Sequence, residues 1–330
     1  MNRDKDTIQI KDAVHGFIEI RSWFFIFIDH PYFQRLRRVK QLGVVDRVYP
    51  NATHTRFEHS LGVFHLTGLI IDRLNRDSLL FTETEKDLIQ LAALYHDIGH
   101  GPFSHLYEKF MINKYGKDTV NHEERACMIL EEISQDKCAL LSDENLKFIS
   151  NVIKGIVPEN EINNYKYQIV NNKLCGIDSD KMDYLARDTK IVDITAFRFD
   201  YIINNMSVCK KTRNVIFNIK SKIDIENLFY TRMIMHKMVY QHKSVLKIAR
   251  IYYCMYCRTE PIDIPLIDDY TFEYLVRNNG KCKYLIYQLE NLNSLTQKRN
   301  IDHECDLCKG FSIIPDIKES GTIENVIFFK

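Results

Sequence analysis

Twelve residues, Leu94 to His105, constrain this chain most. They read L-Y-H-D-I-G-H-G-P-F-S-H and gather three histidines and an aspartate around a helix break. The apolar run from Leu88 to Leu94 leads into the adjacent pair His96 and Asp97. His100 lies one turn beyond His96, so both rings would share a face if the helix continued that far. Gly99, Gly101 and Pro102 are expected to break the helix, with His105 beyond the break. An adjacent His-Asp pair offers one imidazole nitrogen and one carboxylate oxygen to a divalent cation. Two residues cannot complete a metal shell, so further ligands must come from elsewhere in the chain. The competing reading is a buried, hydrogen-bonded polar cluster at a helix end. The density of histidines around the break favours the metal.

Composition excludes several classes. With 330 residues the chain can bury a large core, as one domain or one domain with an appendage. Its 45 basic and 44 acidic residues leave a formal charge of +1, which speaks against nucleic acid as the main partner. Few Gly and Pro residues point to a helix-rich globule. No apolar run reaches membrane-spanning length, and the start M-N-R-D-K-D-T has no signal-peptide core. An intracellular protein, cytoplasmic or nuclear and without a membrane partner, is expected. Its nine cysteines should then be mostly free thiols.

The N-terminal residues 7 to 20 alternate around His15-Gly16 and read as a hairpin or two edge strands. From Asp29 the pattern becomes helical, with Pro31 in the first turn and an apolar face at Phe33, Leu36 and Val39. Arg35, Arg37, Arg38 and Lys40 crowd this helix; a solvated face is the simple reading, a phosphate contact the functional one. Residues 51 to 74 run into a strongly apolar helix, with Arg56 a candidate phosphate clamp and His59 a candidate third ligand. Helices follow at 83 to 98, 121 to 134 and 145 to 157, then a polar surface loop at 158 to 173. His122 stands near the start of the second of these.

In C-G-I-D-S-D-K-M-D-Y-L-A-R-D, Asp180, Tyr184 and Asp188 recur every four residues and share one helical face, with Lys181 beside it. That stripe is a plausible pocket wall; solvated surface charge is the alternative. One long helix is expected over 224 to 252, with Arg232, His236 and Tyr240 facing together. The pairs Cys254/Cys257 and Cys305/Cys308 have zinc-ligand spacing. The first lies in a helical stretch and neither carries a knuckle glycine, so structural zinc is disfavoured. The last segment, T-I-E-N-V-I-F-F-K, reads as a strand.

Six segments together resemble the HD-domain metal-dependent phosphohydrolases. They are D-A-V-H-G-F-I-E-I, Q-R-L-R-R-V-K-Q-L-G, T-R-F-E-H-S-L-G-V, H-D-I-G-H-G-P-F-S-H, G-I-D-S-D-K-M-D-Y-L-A-R-D and Y-Q-H-K. In order and content they are similar to the catalytic core of the sterile-alpha-motif and HD-domain dNTP triphosphohydrolases. The resemblance implies a mainly α fold with minor β at the ends, an HD core over 1–250 and a shortened C-terminal lobe over 251–330. It implies hydrolysis of a dNTP to deoxynucleoside and inorganic triphosphate.

Position by position, it implies metal ligation by His59, His96, Asp97 and Asp180. It puts Arg56 and Lys181 on the triphosphate, and His100, His105 and His122 around the α-phosphate. His105 is the implied proton donor to the 5′-oxygen, oriented by Glu108. Gln41, Leu42, Tyr184 and Asp188 match the sugar pocket; Arg232 and Tyr240 match further nucleotide contacts. The mixed ligand set suits iron, manganese or zinc, with magnesium accompanying the triphosphate. Asp29, Gln34 and Arg37 match a GTP or dGTP activator site, while Ile8 and Ile203 stand where that site has a lysine and an arginine. The sterile-alpha-motif domain is expected to be absent. A homo-oligomer, dimeric or tetrameric and active without the activator, is the resulting expectation. The alternatives are an HD-domain hydrolase of a cyclic dinucleotide or modified triphosphate, and a non-catalytic nucleotide-binding protein.

Overall fold

The apolar stretch after Thr55 sets the architecture, because it is buried on nearly every side. In the computed structural model, which describes residues 7–76, 78–116, 120–136, 140–259, 267–291 and 323–329, helices dominate and the sheets are small. Strands β1 (Thr7–Asp12) and β2 (Gly16–Arg21) pair antiparallel, the hairpin expected around His15-Gly16. Two short helices follow, α1 (Phe25–Ile28) and α2 (Pro31–Arg35).

The expected longer helix from Asp29 stops at Arg35 and tightens into a 3₁₀ turn over Leu36–Arg38. The apolar face is nevertheless real: Phe33, Leu36 and Val39 are fully buried. Arg35 is not on a solvated face. It is buried and donates to the carbonyls of Ile98, His100 and Ile267 at 2.7–2.9 Å.

The central helix α3 (Arg56–Asn75) opens with a capping box in which Thr55 and Glu58 satisfy each other's backbone amides. A second capping box, Thr82 with Glu85, starts α4 (Glu83–Tyr95). Helices α5 (His105–Tyr115), α6 (His122–Asp136) and α7 (Asp143–Lys154) follow. Asp178 caps α8 (Ser179–Val192) by accepting from the Lys181 amide. Helix α3 packs against both α4 and α8, α4 packs on α7, and α7 on α6. The short α9 (Asp200–Asn204) leads into β3 (Met206–Val208), antiparallel to β4 (Val215–Asn218). β5 (Phe328–Phe329) joins β4 in parallel, but only these two residues of the expected terminal strand pair, and Ile323–Asn325 form a 3₁₀ turn.

Two sequence expectations need correction. The long helix over 224 to 252 is divided into α10 (Lys222–Met235), a π-helical turn over His236–Tyr240, and α11 (Lys243–Tyr256). The turn ends at His242, whose extended backbone caps α11. Periodicity alone does not register such a one-turn widening. Residues 158 to 173 are not simply a surface loop either: Tyr165, Tyr167, Ile169 and Val170 are buried, and Tyr165 meets Phe81 edge-on.

The chain ends in α12 (Asp269–Arg277) and α13 (Lys283–Glu290). One hydrophobic cluster runs from Ile18 to Val326, and the expected boundary at residue 250 falls inside α11. Cys254 and Cys257 are not joined in a disulfide; Cys305 and Cys308 lie outside the described residues. Among the described residues no helix is long and apolar enough to cross a membrane.

The hairpin is fastened to α8 by charge. Asp12 accepts from Arg187 Nη1 at 2.8 Å and from the amides of Val14 and His15 at 2.8 and 2.9 Å. Burial pushes the Asp12 pKa up, but the Arg187 bond and charge outweigh it and leave it below the usual value. A lowered carboxylate pKa stabilises the fold above the unfolded value near ~3.9, and that contribution fades as pH falls through the folded value. Asp12→Asn should therefore lose about 2–3 kcal/mol at pH 7, and the gap to the parent protein should close at acid pH. Urea titrations from pH 3 to 8 check this; a gap independent of pH contradicts it.

Candidate metal centre and active site

Helices α3, α4 and α8 converge on three side chains, His59, His96 and Asp180, each offering one ligand atom within 4.8 Å of the others. His59 Nε2 lies 3.1 Å and His96 Nε2 3.7 Å from Asp180 Oδ1. The two imidazoles are nearly perpendicular, at 73°, so their in-plane lone pairs can point at one position. The far nitrogens are occupied. His59 Nδ1 is bonded to Asp183 Oδ2 at 2.7 Å and His96 Nδ1 to the Ala93 carbonyl at 2.6 Å. Both Nε2 atoms are buried without a well-formed hydrogen bond.

Such orphaned, outer-anchored imidazole nitrogens are what a metal-ligating histidine needs. Burial would lower the His59 pKa, but the bonds to Asp180 and Asp183 and the charge of Asp97 outweigh it and raise it to about 10. The pocket is built to hold positive charge, and the donor set fits a divalent transition metal.

Asp97 adjoins this set without closing on it. Its two carboxylate oxygens lie 3.5 Å from His59 Nε2 and from His96 Nε2, and Arg56 Nη1 bonds one of them. His100 Nε2 sits 3.2 Å from the other. The fold therefore corrects the idea that His96 and His100 share a helical face. Helix α4 stops at Tyr95, and the two rings reach the same Asp97 oxygen but belong to different sets: His96 Nε2 also faces Asp180, and the His100 ring stacks on His122.

His100, His105 and His122 also come together, again with ligand atoms within 4.8 Å. His100 and His122 are stacked, 4.1 Å between centroids and 15° between planes, so their lone pairs run parallel and do not converge. The stacking therefore sets this cluster apart from the perpendicular His59–His96 pair. Glu108 joins two of its members, 3.0 Å from His122 Nδ1 and 3.5 Å from His105 Nδ1. Burial pushes Glu108 up, yet the bonds from His105 and His122 prevail and hold it far below the carboxylate range. His100 is pushed well down by burial and by the charges of Arg56 and His122. The His105 side chain is 68% exposed and so open to a ligand.

The glycines expected to break the helix have another use here. A Cβ on Gly99 would run into the His122 carbonyl and the Ala126 amide, so Gly99 lets α6 come close enough for His122 to stack. The unusual backbone falls instead on Phe103 and Ser104, with φ of 54° and 57° just before His105.

A family model described as HD domain matches residues 56–196, the span that supplies all four expected ligands. The chain belongs to the HD-domain family. An HD domain-containing protein of Acanthamoeba polyphaga mimivirus is 36% identical over 265 residues, 76% of this chain and 57% of that protein. A deoxynucleoside triphosphate triphosphohydrolase SAMHD1 homolog of Dictyostelium discoideum is 37% identical over 247 residues, 71% of this chain and 46% of its own. The Homo sapiens deoxynucleoside triphosphate triphosphohydrolase SAMHD1 is 35% identical over 275 residues, 72% of this chain and 42% of its own. The chain spans about half the length of these relatives.

Around the HD centre the other expected site residues are unevenly gathered. Asp188 is buried and accepts from Tyr240 Oη at 2.7 Å, while Tyr184 lies half-buried one turn earlier on α8. Arg232 contributes its charge to both tyrosines. Gln41 and Leu42 lie on the loop beside Arg56, whose Nη2 reaches the Gln41 carbonyl at 3.5 Å. Lys181 is turned to Asp178 at 2.7 Å. Of the expected activator residues, Arg37 Nε bonds Gln34 at 2.8 Å and stacks 3.6 Å over Phe57, whereas Asp29 lines a separate surface cleft of about 370 Å³.

Sequence reasoning passed over several residues of this HD site. His54 bonds the other Asp188 oxygen at 2.7 Å. Asp183 is fully buried between His59, His15 and Arg187. Ser104 Oγ accepts from Arg56 Nε at 2.7 Å. The one available signal was spacing: Asp183 follows Asp180 by three residues and so shares its side of α8.

Proposed function

We propose that this HD-domain protein hydrolyses deoxynucleoside triphosphates to deoxynucleoside and inorganic triphosphate. The observation that carries the reading is the gathering of two different histidine sets around Asp97. One set can converge on a cation, and the other can store and deliver a proton. Two of the relatives reported above are themselves named deoxynucleoside triphosphate triphosphohydrolases. His59, His96 and Asp180, with Asp97, would hold the metal. When bound, a divalent cation polarises phosphoryl oxygen and lowers the pKa of water.

The chain's own residues then divide the remaining work. Water adds to the α-phosphorus, the bond to the 5′-oxygen breaks, and that oxygen must receive a proton. His105 is exposed, follows the strained corner, and has Nδ1 held by Glu108, which leaves Nε2 to carry that proton. Arg56 places a fixed cation beside Asp97, where phosphoryl charge would gather. The Tyr240–Asp188–His54 chain braces the wall assigned to the sugar. Any activation by GTP or dGTP would act through residues around Asp29, Gln34 and Arg37, and assembly into a dimer or tetramer belongs to this same reading.

The test is a panel of dNTPs, NTPs and cyclic dinucleotides on metal-reconstituted protein, with products separated by chromatography. Deoxynucleoside plus triphosphate is the expected outcome. Monophosphate plus pyrophosphate, or a linear dinucleotide, would assign the centre to different substrates.

A further inference from the structure

The corner that presents His105 cannot be explained by its own sequence. Phe103 and Ser104 both take positive φ, a conformation that side chains with a Cβ rarely adopt. Something must hold them there, and the holders come from the C-terminal helices. Asp269 Oδ1 accepts the Phe103 amide at 2.7 Å, and Tyr256 Oη donates to the Pro102 carbonyl at 2.6 Å. The Phe103 ring is packed against Tyr252, 4.4 Å between centroids.

The second oxygen of the same carboxylate accepts the Lys40 amide at 2.9 Å, and Ser104 Oγ donates to the Lys40 carbonyl at 3.1 Å. One buried side chain thus stitches the loop bearing Gln41 and Leu42 to the corner bearing His105. Among the described residues neither oxygen faces a cationic side chain within ion-pair distance, and burial pushes the Asp269 carboxyl up to about 7 against the pull of its two amide bonds. Such a group is a poor way to gain stability and a good way to fix two loops.

We propose that Asp269 is a positioning residue that sets His105 and the Gln41–Leu42 loop relative to the metal ligands. The proposal takes His105 as the proton donor and so rests on the function proposed above. His59, His96 and Asp180 come from α3, the end of α4 and α8, to which Asp269 makes no hydrogen bond among the described residues; the corner reaches the ligand set only at one remove, through Ser104 and Arg56 to Asp97. Its loss should therefore separate proton delivery from metal binding.

Asp269→Ala strands both amides. Asp269→Asn keeps the volume but has one acceptor oxygen for two donors. Three readouts are needed: hydrogen exchange at residues 38–43 and 100–106, metal content, and turnover of the substrate found in the panel. In both variants the two loops should lose protection while peptides of α3 and α8 keep theirs, metal content should stay at the parent level, and kcat should fall about 10- to 100-fold. Unchanged loop protection overturns the proposal. So does faster exchange with unchanged kcat, loss of metal in parallel, or loss of protection throughout the chain in both variants. If no dNTP is hydrolysed even by the parent protein, the exchange data and the NMR resonances of the His105 ring still decide whether the clamp exists. That result would be a failure of the functional reading alone.

Discussion

Asp180→Asn should leave a folded protein that no longer retains its metal. The carboxylate is the one charged oxygen within reach of both His59 and His96, and at 31% exposure it is the accessible member of the set. Burial raises its pKa, but the facing His59 and His96 imidazoles prevail and hold it well below the usual carboxylate range. Asparagine preserves the shape and removes the charge. A neutral amide oxygen is a weak ligand for a transition metal, and the remaining carboxylate, Asp97, is already bonded to Arg56 and His100, so the two imidazoles are left with a weakened partner.

Hydrolysis should fall on the order of a thousandfold, equivalent to the ~4 kcal/mol that Lewis-acid stabilisation supplies. Metal analysis after gel filtration is the primary measurement, because it does not depend on knowing the substrate. Stability in the absence of metal should fall by only about 1 kcal/mol, since the amide oxygen can still accept from His59 Nε2 in place of the carboxylate. A variant that retains a full equivalent of metal would remove α8 from the centre and with it the proposed chemistry.

The helical fold and the residues of the candidate triad were legible because both are written in local pattern. His59 and Asp180 each follow a strong cap, Thr55 and Asp178, so their helical phase is fixed and their faces could be read from spacing. His96 was found from its neighbour Asp97. What spacing could not show is where a helix stops. Helix α4 ends at Tyr95, one residue before the motif, and that termination turns His100 away from His96 and into the second cluster.

The π-helical turn at His236–Tyr240 was hidden for the same reason, since its residues keep good helical composition while the backbone widens to point Tyr240 at Asp188. Long-range partners were the other blind spot. Asp12 meets Arg187 across 175 residues and Asp269 meets Phe103 across 166, and no local pattern encodes such pairs. Arg35 looked like part of a basic surface because its neighbours are basic, yet its own position faces three carbonyls in the core.

Asp183 offers the second large effect, and it separates stability from function. Its carboxylate is fully buried and receives His59 Nδ1 at 2.7 Å, His15 Nε2 at 2.5 Å, and Arg187 Nε and Nη2 at 3.0 Å each. Burial pushes its pKa up, and the Arg187 charge with the two histidine bonds pulls it well below the usual value. The site is tight: a Cβ on Gly62 of α3 would strike this carboxylate, so only glycine lets the helices approach.

Asp183→Asn leaves Arg187 with Asp12 alone and weakens the bond that fixes the His59 tautomer. Breaking a buried pair from one side should destabilise the fold by about 3–5 kcal/mol, read as a lower urea midpoint. The loss of the outer partner should weaken metal binding about 10- to 100-fold, read by competition with a chelator. The triple variant Asp12→Asn, Asp183→Leu and Arg187→Met removes all three charges together, since Arg187 also pairs with buried Asp12. Much of the stability should then return, because no uncompensated charge is left inside. Metal affinity should stay low, since His59 Nδ1 still has no carboxylate to hold it. Recovery of both quantities together would mean that Asp183 serves only packing and that His59 needs no anchor.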